Sequence, residues 1–414
     1  MPIPSSGAWL PDVDVAIVGG GMVGASLAAA LLPTGLRLLL IESIPPGGDA
    51  QPSFDARTTA LGNASRRILE GLGAWGELAP HAAPIRSIHV SDAGRFGFAR
   101  LEASEQGLEA FGYVIANAQL GAALWGRLRA APQLTVRAPA AIADLAFDAD
   151  RARFEIQAAG HSVPATARVV VGADGARSQV RLSAGIGAQV VDYAQVALVA
   201  NLTSDAAHAG AAFERFTPDG PLAVLPLADG RRTVVWAVPV ARAPQLLGLG
   251  DADFIAELQR TFGWRAGRFS HAGRRASYPL TLTRAAAPTA ARAVLIGNAA
   301  QALHPVAGQG FNLGLRDAAM LAECLADAVT DVGAPAVLER FATWRAGDRR
   351  GVTGFTDGLV RLFGDSRPGV AWLRDLGLLA FDLLPPAKAA LARVSAGFAG
   401  PAPRLARGLP VRHA

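Results

Sequence analysis

Within its first 42 residues the chain joins an apolar strand, a glycine cluster and an apolar helix, and this constrains the fold more than any other feature. Val13 to Val18 is apolar at every position except Asp14, and is followed by Gly19-Gly20-Gly21-Met22-Val23-Gly24. Met22 to Leu32 then carries an apolar helical pattern, and Leu36 to Ile41, apolar except at Arg37, reads as a second strand that ends at Glu42. In that order the segments make one βαβ unit. Gly19 serves the tight turn, Gly21 lets the backbone approach a pyrophosphate, and Gly24 lets helix and strand pack closely. Phosphate charge would rest on the helix N-terminus, at Met22 and Val23, where amides and the helix dipole favour an anion. Glu42 stands 18 residues after Gly24, at the end of the second strand, where its carboxylate can accept both ribose hydroxyls. Such a carboxylate disfavours a 2′-phosphate, so the expected dinucleotide is FAD or NAD. The alternative is a glycine-rich turn with no ligand. A bare glycine triplet would leave that open, whereas the strand, the helix and the acid together favour the nucleotide.

The run from Val15 to Leu36 contains no charged residue and would pass a hydropathy window for a membrane span. Gly19, Gly20, Gly21 and Gly24 together with Pro33 make strand, turn and buried helix the better reading. With 414 residues, 51% hydrophobic and 18% charged, the chain suits two interleaved domains and is not disordered. The single cysteine, Cys324, allows no internal disulfide and suits a reducing compartment, and nothing near it in sequence would lower its pKa. The net charge of +5 comes from scattered arginines, with Lys388 the only lysine, so no nucleic acid partner is expected. The stretch MPIPSSGAWLPD has no basic region followed by an apolar core, and no secretory signal is expected. From Gly358 to Leu384 the chain is apolar with interspersed arginines, which reads as helices packed on the body or, in a second reading, as a surface that touches a membrane.

The texture changes between Gln195 and Val240 to short alternating strands, with turn signals at Pro218-Asp219-Gly220 and Asp229-Gly230. DADFIAELQRTF reads as a helix capped by Asp251, and Ala276 to Thr283 as a strand. Two further turns join strands to helices. VVVGADGARSQVR, Val169 to Arg181, feeds β-branched residues into a Gly-Ala-Asp-Gly turn, after which Arg177 and Ser178 open a helix. In LIGNAAQALHPVAGQGFNLGLRD a strand, Ala293 to Ile296, enters a Gly-Asn turn, a loop with His304, Pro305, Gly308 and Gly310, and a helix from Phe311. FDARTTAL offers Arg57 where it could reach a phosphate, or simply as a surface arginine.

Together these segments resemble the flavin-dependent aromatic hydroxylases of the para-hydroxybenzoate hydroxylase type. LHPVAGQGFNLGLRD is similar to the signature of the ubiquinone-biosynthesis hydroxylases within that group. FERFTPDGPLAVLPL, ELQRTFGWRAGRFSHAGRRASYPL and FDARTTAL resemble the branch that acts on 2-polyprenyl-6-methoxyphenol. The resemblance runs from about Val13 to the helical C-terminus. It implies an α/β fold: a Rossmann-like FAD-binding domain (1–80, 111–190 and 286–350) interrupted by an antiparallel-sheet substrate domain (81–110 and 191–285), with a helical C-terminus (351–414). It implies tightly bound FAD, transient NAD(P)H and O2, which would add to reduced flavin as a C4a-hydroperoxide and hydroxylate the phenol. Cofactor contacts would come from Gly19, Gly21, Met22, Val23, Gly24, Glu42, Arg57, Gln119, Asp174, Asn298, Pro305, Gly308, Gln309, Gly310 and Phe311. Gly308-Gln309-Gly310 would bring backbone close to the isoalloxazine, Pro305 would wall it, and the helix from Phe311 would point its N-terminus at the N1 and C2 carbonyl edge. Asn298 stands where most of the superfamily has aspartate. His304 is the candidate catalytic group, though a packed histidine is the stronger reading, and no metal is implied. A membrane-borne substrate further implies a cytoplasmic protein in peripheral contact with the inner membrane and with other ubiquinone-biosynthesis proteins. The competitors are a flavin halogenase, a plain NAD dehydrogenase and a non-enzymatic FAD-bearing scaffold. The first lacks its substrate-side lysine and tryptophan pair, and the second leaves the Gly297 to Asp317 segment without a purpose.

Overall fold

A computed structural model describes residues 12–46, 57–129, 131–302, 309–347 and 402–412. His304, Pro305, Gly308, Lys388 and the segment from Gly358 to Leu384 lie outside the described residues.

Strand β1 (Val13–Val18) is buried at every position except Asp14, as a strand covered on both faces must be. Helix α1 (Met22–Leu31) is buried from Gly24 onward and ends in a short 3-10 turn, Leu32–Thr34, where Pro33 cannot continue the helix ladder. Strand β2 (Leu38–Ile41) starts two residues later than the apolar run suggests. Gly35, at φ 77°, reverses the chain, and Arg37 donates its N–H to the Asp14 carboxylate at 2.9 Å before pairing begins. Next come β3 (Thr58–Gly62), α2 (Asn63–Gly71), β4 (Ala83–Ile85), β5 (Ser87–Asp92), β6 (Phe98–Glu102) and β7 (Gly112–Ala116). Helix α3 (Asn117–Leu128) leads back to β8 (Leu134–Arg137), which lies parallel to β2. Strands β9 (Ala141–Phe147), β10 (Ala152–Ala158) and β11 (His161–Gly172) form an antiparallel meander, and β11 then pairs parallel with β1.

After the short helix α4 (Gln179–Ser183), β12 (Ala188–Ser204) runs for 17 residues, longer than the short strands expected and starting before Gln195. It bends at a bulge between Asp192 and Gln195 on the β17 side. Strands β13 (Ala211–Thr217), β14 (Gly220–Pro226) and β15 (Arg232–Pro239) are joined at the two expected turns. Helix α5 (Asp251–Phe262) has Gly250 at its N-cap, so Asp251 is its first residue and not the cap. The Asp251 carboxylate instead accepts from Arg275 at 3.2 Å. The chain closes with β16 (Phe269–Ala272), β17 (Ala276–Ala285), β18 (Thr289–Ala290), β19 (Ala293–Leu295), β20 (Gln301–Ala302) and α6 (Gln309–Ala326).

These strands form three sheets. The first has the order β18-β19-β11-β1-β2-β8, extended by β10 and β9, and the pairs β19–β11–β1–β2–β8 are all parallel. The second has the order β20-β17-β12-β15-β14-β13-β5-β6, with β16 on β12, and is antiparallel except between β13 and β5. The third is the small antiparallel set β3-β7-β4. Helices α1, α3 and α6 share one apolar core with β1 and β11, while Phe154, Ile156 and Val180 cover the other face of that sheet. Helix α5 covers one face of the second sheet through Phe254, Leu258 and Phe262.

Candidate functional site

The parallel order places four turns along one edge. Strands β19, β11, β1 and β2 end in succession at Leu295, Gly172, Val18 and Ile41, so Asn298, Asp174, the Gly19 turn and Glu42 line up at their carboxyl ends. Ligands of open α/β sheets bind in the crevice at such ends, where strand order reverses. Here the reversal falls beside β1, which continues to β2 on one side and has β11 and β19 on the other.

Packing explains the glycines. Gly19 adopts φ 101°, and a Cβ there would lie 2.5 Å from the Ala173 carbonyl oxygen. A Cβ on Gly24 would lie 1.9 Å from the carbonyl oxygen of Gly19, so helix and turn touch through backbone alone. Gly20, to which the sequence reading gave no task, is enclosed by Trp125 and Glu42, and Trp125 Nε1–H donates to its carbonyl at 3.0 Å. Gly21 is the N-cap of α1, and among the described residues no side chain caps that helix. Its first amides are therefore left for an anion. Glu42 is buried; its Oε2 accepts from Gly20 N–H at 2.5 Å and its Oε1 from Ile44 N–H at 2.8 Å. A carboxylate has about four acceptor positions, so these bonds fix Glu42 while leaving capacity for hydroxyl donors.

Asp174 uses one oxygen to hold the start of α4, accepting from Gln179 N–H at 2.7 Å and Val180 N–H at 3.2 Å. Its other oxygen, Oδ1, is buried and has no hydrogen-bond partner among the described residues. A buried acceptor of this kind costs stability unless a ligand or water satisfies it. Ser178 caps α4 through Arg181 N–H at 3.0 Å. The buried Arg181 guanidinium donates to Ala299 O at 2.9 Å and to Ala176 O at 2.7 Å, which ties the Asp174 turn to the Asn298 turn.

Asn298 lies exposed in the 3-10 turn Gly297–Ala299 that follows β19. Gly297 donates its N–H to Asp317 at 2.9 Å, and Asp317 is fully buried in an ion pair with Arg345. Gly314 brings α6 against Val23, since a Cβ there would lie 2.7 Å from the Val23 side chain. Asn312 fixes the other side of α6, accepting from Gly62 N–H at 2.9 Å and Ser65 Oγ–H at 2.7 Å and donating to Ala60 O at 2.7 Å.

Helix α6 begins at Gln309, two residues before the expected Phe311, so Gln309 and Gly310 belong to its first turn and not to a loop. Glycine is tolerated there because first-turn amides have no intrahelical acceptor in any case. A Cβ at Gly310 would meet no described atom within 4 Å, and Phe311 packs partly buried on the core. Arg57 lies with its guanidinium 4.4 Å from the centroid of the Tyr278 ring, joining the start of β3 to the second sheet. Gln119 is exposed in the first turn of α3. Trp125, Arg181, Asn312, Gly314 and Asp317 are supports that the sequence reading did not single out. A glycine in the middle of an apolar helix was the available signal for Gly314. The buried Cys324 thiol is pushed up to about 12 by burial, which leaves it protonated and inert.

An uncapped helix N-terminus, two glycines that admit no Cβ, a fixed carboxylate and an orphaned buried oxygen suit a dinucleotide such as FAD. The chain matches the model of the FAD binding domain family over residues 12–355. It is 40% identical to the ubiquinone hydroxylase UbiL of Rhodospirillum rubrum over 99% of this chain and 96% of that one. It is 35% identical to the 3-demethoxyubiquinol 3-hydroxylase of Escherichia coli, covering 89% and 94% of the two chains. The fold superposes on p-nitrophenol 4-monooxygenase PnpA of Pseudomonas putida with a TM-score of 0.78, at 19% identity and over 94% and 99% of the two chains.

Proposed function

This chain belongs to the FAD-binding domain family and is an FAD-dependent monooxygenase, and from that premise we propose that it hydroxylates the ring of a polyprenylated phenol in ubiquinone biosynthesis. The substrate we assign is 2-polyprenyl-6-methoxyphenol, with NAD(P)H as reductant and O2 as oxidant. A single arrangement carries the reading: four motif-bearing turns meet at the carboxyl ends of β19, β11, β1 and β2, and β20, which follows the Asn298 turn, pairs with β17 of the second sheet.

In this reading residues 1–80, 111–190 and 286–350 hold the cofactor, and residues 81–110 and 191–285 carry the substrate. The amides that open α1 would take phosphate, Glu42 the ribose, Asp174 Oδ1 a donor of the bound cofactor, and Asn298 a ribityl hydroxyl. When bound, the flavin supplies the chemistry that takes electrons from NAD(P)H and divides O2 between the aromatic ring and water. The protein positions the ring and excludes water. Ala197, Val235, Ala237 and Leu280 form an apolar floor on the second sheet, suited to an aromatic ring and a prenyl chain. A peripheral membrane contact would fit the exposed Phe96, Phe98 and Trp264.

The test is anaerobic reduction of the bound flavin by NADH and by NADPH, with and without a short-chain 2-prenyl-6-methoxyphenol, followed by oxygen and mass analysis. Reduction accelerated by the phenol and a product one oxygen heavier are expected. A 3-demethoxyubiquinol analogue belongs in the same series, because the Escherichia coli relative bears that activity in its name. Preference for that ring would move the assignment to a later hydroxylation. Hydrogen peroxide alone with either ring would overturn the proposal.

A further inference from the structure

Side chains alternate along β13, and their partners identify the two faces. Phe213 meets Phe262 edge-on at 5.6 Å, and Arg215 Nε–H donates to Thr261 O at 3.1 Å, so both point toward α5. Glu214, with Ala212 and Phe216, therefore points the other way. Register extends that face across the sheet: Glu214 stands opposite Ala223, Ala223 opposite Val235, Ala237 opposite Ala197, and Ala197 opposite Tyr278. This is the face that carries Tyr278 beneath Arg57 and the apolar floor of the proposed substrate site.

A carboxylate is unexpected in such surroundings. The residues that share its face on the adjoining strands are Ile88, Val90 and Asp92 on β5 and Pro221, Ala223 and Leu225 on β14. Asp92, which pairs with Arg95 at 3.6 Å, is the charged one among them. From the third sheet, Ala60 and Val114, with Phe111 just before β7, join the same apolar cluster as Ala212 and Leu225. His89 and Arg215 point to the opposite face. Among the described residues Glu214 has no hydrogen-bond or ion-pair partner. It is partly buried on this face of the sheet. Burial alone lifts its carboxyl to about 7, and a carboxyl with that pKa is half ionised at neutral pH.

We propose that Glu214 is the base that takes the phenolic proton of the substrate, an assignment that rests on the phenol-hydroxylase reading above. The substrate O–H bond breaks, the proton passes to a Glu214 carboxylate oxygen, and the electron pair stays on the phenolate oxygen and enriches the ring. The products of this step are phenolate and the neutral Glu214 carboxyl, so charge and atoms balance. A neutral carboxyl is the state that apolar neighbours favour, so burial helps the transfer as well as tuning the base. In the resting complex the carboxylate accepts a hydrogen bond from the hydroxyl.

The flavin-loaded enzyme tests this with 2-prenyl-6-methoxyphenol, its methyl ether and the variant Glu214→Gln. Product formation by the wild type should rise with pH around 7. Glu214→Gln with normal flavin content should fall by roughly 10²–10³. Its residual rate should climb only toward the ionisation of the phenol itself, at about 10. Infrared difference spectra of the wild type should show a carboxyl titrating near 7 that is missing in the variant. The phenol should lower that midpoint and the methyl ether should leave it in place. A variant with an unchanged rate and pH profile overturns the assignment, as does a wild-type carboxyl that titrates in the ordinary range or ignores the phenol. A wild type that hydroxylates no phenol overturns the functional reading and this proposal with it, whereas a wild type that does so with an indifferent Glu214→Gln overturns only the base.

Discussion

Gly24 and Gly310 are absent of side chains for different reasons, and the difference can be measured. At Gly24 a methyl group would lie 1.9 Å from a backbone oxygen, so Gly24→Ala must push α1 off the turn, at about 1–3 kcal/mol or more. We expect apoprotein that melts earlier and retains little flavin. At Gly310 the methyl group meets no described atom, so Gly310→Ala should leave the melting temperature at or above wild type while weakening flavin retention. Undiminished flavin in that variant would show that no ring comes close to Gly310. Asn298 offers an amide oxygen where a carboxylate would bond about twice as strongly, so Asn298→Asp should bind FAD more tightly and shift its midpoint potential. Equal flavin content and an equal potential would remove that role. Glu214 also has a thermodynamic signature. Its folded pKa, about 7, is raised above the ordinary 4.5, so the cost of ionising it in the fold is absent below 4.5, grows as pH rises, and is complete above 7. Glu214→Gln should therefore melt with wild type in acid and exceed it by roughly 3 kcal/mol above neutrality. Melting curves that coincide at every pH would mean that the carboxyl is better solvated than its surroundings indicate.

The first βαβ unit was legible at the element scale because its signals are local. An apolar run, three glycines with assigned duties and an acid after the second strand sit within 42 residues, and each meets its partner inside that unit or in the neighbouring strand. Helix starts were less legible. Gly250 and not Asp251 caps α5, and α6 absorbs Gln309 and Gly310, because an N-cap is fixed by backbone dihedrals that several residue types can adopt. The supports behind the turns were not legible at all, since their partners lie far away in the chain. Arg181 reaches Ala299 across 118 residues and Asp317 meets Arg345 across 28. These contacts set the distance between the Asp174 and Asn298 turns. Asp317→Asn would leave Arg345 charged at 0% exposure and weaken the acceptor for Gly297 N–H. Removing one partner of a buried ion pair costs about 3–5 kcal/mol, so this variant should melt well below wild type and lose flavin together with the Asn298 turn. A conservative contrast is Trp125→Phe, which deletes one hydrogen bond to Gly20 and should cost only about 1 kcal/mol. Similar losses in the two variants would mean that the Asp317 pair is not what holds the turn.

For the whole molecule, the proposed function requires a lipid-borne phenol to reach an apolar sheet face. Among the described residues no helix is long and apolar enough to cross a membrane. The largest exposed aromatics gather instead at one end of the second sheet: Phe96 is 55% exposed, Phe98 37% and Trp264 69%. Arg265 bonds to His89 and lies over Phe98 at 5.7 Å, and the exposed Arg268 follows Trp264 closely in sequence. Burial, and then Arg265, push the His89 imidazole down to about 4, so it is neutral at physiological pH and stacks on Phe98 at 5.7 Å without repelling the guanidinium. Aromatics interleaved with arginines suit an interface with acidic headgroups, the rings at the acyl boundary and the cations among the phosphates. Flotation with vesicles of phosphatidylcholine and phosphatidylglycerol should therefore recover the wild-type protein and should weaken in salt. The double variant Phe96→Ser with Trp264→Ser should bind several-fold less. It should hydroxylate a dispersed short-chain phenol at the wild-type rate and a long-chain phenol embedded in vesicles more slowly. Equal flotation by both proteins would remove this face as the contact. Slower turnover of the dispersed phenol as well would mean that the aromatics shape the substrate site and not the approach to it.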